Sequence, residues 1–96
     1  MDAKRRAEYQ ECRDEIAKWM QEYNDAMDKA MPTAGAPPSY KAPASTNATY
    51  QRLLGMIEED GIWSSAFAAL PKGDLTITDA FSVIEALDGL LAVRTN

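Results

Sequence analysis

The side chains that carry most protein chemistry are scarce in this chain. It has no histidine and a single cysteine, Cys12, in 96 residues. Without histidine there is no Ser-His or Cys-His nucleophile pair, and no imidazole to bind metal or move protons. Ser64 and Ser65 have no recognisable base nearby. Cys12 falls in an apolar helical stripe, where a small packed side chain is the expected role. Two carboxylate groups remain, Glu11/Asp14/Glu15 and Glu58/Glu59/Asp60. Paired carboxylates can do acid–base work or hold a hard cation. Here they fall on the polar faces or at the end of expected helices, where they read as solvated charge. The run Asp74-Leu75-Thr76-Ile77-Thr78 sets oxygens at alternate places. It lacks the repeated Asp or Asn, the central Gly and the closing Glu of a calcium loop. No Gly-rich phosphate loop is present. The expectation is a protein that is not an enzyme, with no catalytic residues, no cofactor and no metal.

The net charge of −5 argues against binding nucleic acid directly by neutralising phosphates, and against an anionic membrane surface. It favours a protein partner with a basic surface, steered in by opposite charge. The Lys4-Arg5-Arg6 cluster reads as a solvated helix end, with a grip on an acidic partner as the sharper alternative. One cysteine permits no internal disulfide and fits a reducing compartment. No apolar run follows the basic start, and no window approaches the ~20 apolar residues of a membrane span. A cytoplasmic protein is expected. Asn47-Ala48-Thr49 fits the glycosylation pattern, which without export is a chance match.

The elements that must position these residues read as helices. Ala3 to Met31 contains neither Pro nor Gly and predicts one helix of about eight turns, with Asp2 placed to cap it. Tyr9, Cys12, Ile16, Trp19, Tyr23, Ala26 and Ala30 step alternately by three and four, a seven-residue repeat. Met20 and Met27 widen that seam, which suits contact with two neighbouring helices. The end charges oppose the helix dipole: bases crowd the start, while Asp25 and Asp28 lie near the end. Packing of the seam must therefore hold this helix. The seam can pack on this chain's own later helices or join another copy, and the two need not exclude each other.

Pro32 to Ser45 carries four prolines among Ala, Ser, Thr and Gly, a linker that favours extended backbone. It reaches ~43 Å at ~3.1 Å per residue, about the length of the first helix. It can bring the second half back beside that helix or deliver it to a neighbour. Tyr40 is its one large side chain. Beyond it, Thr46 or Asn47 is placed to cap a helix running to Asp60, where Gly61 permits a left-handed stop. Ile62, Trp63, Ala66, Phe67 and Leu70 mark a short helix of about nine residues ended by Pro71. Thr76 and Asp79 form a capping box for a last helix to Val93. Its expected core face is Ile77, Ala80, Phe81, Ile84, Leu87 and Leu91, widened by Val83 and Leu90, and it is the expected centre of the core.

The fold class is therefore all-α: a small bundle of about four helices, with 1–31 as a long N-terminal arm, 32–45 as linker and 46–96 as a compact helical bundle. The expected function is protein–protein interaction and self-assembly, giving a homo-oligomer. The candidate contact residues are Tyr9, Cys12, Ile16, Trp19, Met20, Tyr23, Met27 and Tyr40. Two other readings fit the same residues. One is a small acidic inhibitor, of the kind viruses encode, aimed at a nucleic-acid-binding host enzyme. The other is an oligomeric sink for a small molecule or nucleotide between subunits, with aromatic rings stacking the ligand.

Overall fold

Asp2 starts the first helix as expected: its carboxylate accepts the backbone N–H of Arg5 at 2.8 Å, which satisfies one of the orphan donors of the first turn. From there α1 runs Ala3–Thr33. It passes the expected end at Met31 and includes Pro32, whose fixed φ of about −65° is itself helical. The computed structural model describes residues 2–33, 40–62 and 65–92. Positions 34–39 of the linker, Trp63 and Ser64, and Val93 lie outside them, as does the side chain of Ala30.

α2 spans Ala44–Asp60, α3 Ser65–Ala68 and α4 Ile77–Ala92. The protein is all-α, with four helices and the long α1 packed on the C-terminal α4. α2 also packs on α1, and α3 packs on α4. One core joins them. Tyr9, Cys12, Ile16 and Trp19 come from α1, Tyr50, Leu53, Leu54, Met56 and Ile57 from α2, and Ala80, Val83, Leu87 and Leu91 from α4. The expectation that α4 forms the centre is corrected here. α1 is the helix against which both α2 and α4 lie, because its seam is wide enough to serve two neighbours.

Two starts differ from expectation. α2 begins at Ala44, two residues before Thr46 and three before Asn47, after an extended Pro43 with no side-chain cap. Thr46 is buried, and Asn47 is used across the chain. Its Oδ1 accepts the Leu75 N–H at 3.0 Å and its Nδ2 donates to Asp74 Oδ1 at 3.3 Å. The helix before α4 is a single turn rather than nine residues. One turn is not stable alone. Burial of Phe67 and Leu70 holds it. The stop at Gly61 is as expected: φ is 64°, Gly61 N–H donates to the Glu58 carbonyl and Ile62 N–H to that of Ile57, the double bond pattern of a left-handed cap.

A short antiparallel bridge joins Lys41 and Thr76. Ala42 N–H donates to the Leu75 carbonyl at 2.9 Å and Ile77 N–H to the Tyr40 carbonyl at 2.7 Å. It ties the start of α2 to the start of α4. There Thr76 caps α4: Asp79 N–H donates to Thr76 Oγ1 at 3.4 Å, and the carboxylate of Asp79 accepts the Thr76 hydroxyl at 2.8 Å rather than a backbone N–H. Thr76→Ala is expected to cost ~1 kcal/mol and to lower the melting temperature by ~4–8 °C. Thermal denaturation followed by circular dichroism checks this, with Thr76→Ser retaining most of the stability.

Candidate interaction surface

α1 runs antiparallel to both of its neighbours. At its start Arg5 pairs with Glu59 at 3.0 Å and Asp60 at 3.3 Å, and the Tyr9 hydroxyl donates to Asp60 Oδ2 at 2.7 Å. The Arg6 guanidinium donates to the Leu91 carbonyl. This accounts for bases that suit their own helix dipole badly. They lie at the negative ends of α2 and α4, where cations are favoured.

The two flanks of α1 differ in character. Towards α2 the edge is charged. Arg52 reaches Glu8 at 3.5 Å and Glu11 at 3.7 Å, above a groove of about 440 Å³ lined by Glu11, Asp14, Glu15, Lys18, Thr49 and Arg52. Both signs of charge alternate along it. Towards α4 the edge begins with an ion pair, Arg13 Nε donating to Asp88 Oδ1 at 2.9 Å. A seven-residue step returns to nearly the same helix face. Moving ~10 Å forward along α1 and back along α4 sets position 20 opposite position 81. Met20 packs partly against the core, and Phe81 is 52% exposed. Between the ion pair and these residues a four-residue step places Ala17 and Ile84, both half-buried. This flank is an apolar strip.

The strip continues past the body of the molecule. α1 has 31 residues, or ~46 Å, while α2 with 17 and α4 with 16 span ~25 Å each. Both neighbours end beside the start of α1, so they reach only to about position 24. The long dimension of 51 Å against 24 and 22 Å reflects the remaining projection. No described side chain of α1 beyond Trp19 is fully buried.

The eight candidate contact residues therefore separate. Tyr9, Cys12 and Ile16 are fully buried and Trp19 nearly so, within this chain's own core. Tyr23 stacks edge-on against Trp19, with ring centres 6.4 Å apart, and is half-buried, as are Met20 and Met27. Tyr40 is 58% exposed. Phe81, expected in the core, is instead on the surface. The buried face of α4 is centred on Ala80, Val83 and Leu87, which turns Phe81 outward. A strict reading of the three- and four-residue steps from Ala80 would have shown this.

The candidate chemical groups are engaged structurally. Burial pushes the Cys12 thiol up, only partly offset by Arg52, so it stays protonated and unreactive. Asp60 is held by Arg5 and Tyr9, and Asp14 accepts from Gln10 at 2.9 Å. Among the described residues no group of three His, Cys, Asp or Glu is placed to hold a metal ion. No described helix is long and apolar enough to cross a membrane. Comparison of the chain with known protein families, curated proteins and solved structures yields no match.

Proposed function

We propose that this protein is a non-enzymatic interaction module that self-associates through the α1–α4 flank and the projecting end of α1. The observation that carries the reading is the apolar strip from Met20 and Phe81 to Met27, which runs on beyond the cover that α2 and α4 provide. Solvent-facing aromatic and Met side chains at one continuous edge favour burial against another surface. A projecting amphipathic helix gives two copies a symmetric way to do it. Sedimentation velocity at ~10–100 µM tests the proposal. A species at least twice 10.6 kDa is expected, returning to monomer in a Met20→Glu, Phe81→Ser variant. A wild-type chain that sediments as a monomer throughout overturns it.

A further inference from the structure

A second surface lies on the far side of α4. Between α3 and α4 runs a groove of about 660 Å³, with an apolar floor that includes Phe67 and Leu90 and small residues such as Ala66 and Gly89 in its walls. From position 79 to position 90 it follows α4 for ~17 Å, about three helical turns. Small walls and an apolar floor suit a helix laid into a groove. Among the described residues that line it the charge has one sign. Asp79 and Glu85 are the charged residues among the described lining, and α4 carries no Lys or Arg along its length. Asp88 is committed to Arg13 on the other flank, whereas Glu85 is exposed at the rim. A second copy is a poor occupant. The projecting part of α1 carries Asp25 and Asp28 against Lys29, so like charges would meet.

We infer that this groove docks a basic amphipathic helix of a protein partner, about three turns long, with apolar residues inward and Lys or Arg at the acidic rim. The floor of the site is separate from the self-association strip, since positions 79, 86 and 90 face away from 81 and 88, while Glu85 stands at the border between the two surfaces. It therefore stands or falls independently of that reading. Gly89 provides a clean block: a Cβ there meets nothing within 4 Å, so Gly89→Leu fills the groove without disturbing the fold.

The test is a fluorescence-anisotropy titration of the full chain with a labelled model peptide of ~14 residues, Leu and Ala on one face and Lys on the other. A scrambled peptide of the same composition and a version with Glu for Lys are the comparisons. The amphipathic Lys peptide is expected to bind ~10-fold or more tightly than either. Gly89→Leu is expected to weaken it ~10-fold and Glu85→Lys ~3-fold, with melting temperatures not lowered and Phe81→Ser without effect. Equal binding of the amphipathic and scrambled peptides, or binding indifferent to Gly89→Leu, would show diffuse attraction to an acidic surface and overturn the site. Loss of the dimer in Gly89→Leu would assign the groove to a second copy and overturn it equally.

Discussion

Ile16→Ala is expected to cost about 2–4 kcal/mol of stability and to lower the melting temperature by ~10–30 °C, at ~4–8 °C per kcal/mol for a chain of this size. The size of the effect comes from position rather than chemistry. Ile16 is fully buried on the one helix that packs directly on both α2 and α4, so truncation opens a void that both neighbours border. A chain of this length has ~5–10 kcal/mol to lose, and this single change removes a large share. Met27→Ala, on the projecting part of the same seam, is expected to cost under ~1 kcal/mol in the monomer. Urea and thermal unfolding of the two variants decide the matter. If Met27→Ala proved the more damaging, the assignment of Ile16 to the core and Met27 to the projection would be wrong.

The second large effect is alkaline. Burial, and then the Asp60 carboxylate that accepts its proton, hold the Tyr9 hydroxyl well above its ordinary range. Burial, and then the field of Asp79, push Tyr50 up to about 12; its hydroxyl donates to the Pro71 carbonyl at 2.5 Å. In the unfolded chain both would ionise near pH ~10. Above that pH the native state binds more protons than the unfolded one, so stability falls as pH rises. Below it these two groups contribute no pH dependence. The expected result is an unfolding free energy that the tyrosines leave unchanged near neutral pH, a first decline above about pH 8.5 as the buried Cys12 thiol resists ionisation, then a steeper one between about pH 10 and 12 of up to ~1.4 kcal/mol per pH unit for each tyrosine. Urea titrations across that range measure it. Tyr9→Phe and Tyr50→Phe should each flatten the slope, at ~1 kcal/mol lost near neutral pH for the missing hydrogen bond. A wild-type slope unchanged by either substitution would refute the assignment.

What could be read from the residues in advance was local. Asp2, Gly61 and the Thr76–Asp79 pair act within four residues of themselves, and each does what its chemistry indicates. The seam from Tyr9 to Trp19 was legible because periodicity identifies a face. Periodicity does not say what the face meets, and so the choice between own-chain and foreign helices stayed open until α2 and α4 were seen to cover half of it. Asn47 shows the limit clearly. Its carboxamide suits a helix start, but Leu75 and Asp74, far along the chain, claim it. Phe81 turns outward because α4 has more large apolar residues than one face can hold, and periodicity alone does not say which of them is left out. Neither the groove beside Gly89 nor the Met20–Phe81 strip is a property of one segment. Each exists only once two helices have taken their register.

The bridge between Lys41 and Thr76 couples motions that the helices alone would keep separate. α2 and α4 each pack on α1 and not on one another, and two peptide hydrogen bonds link the segments where they begin. Neither can slide along α1 without dragging the other.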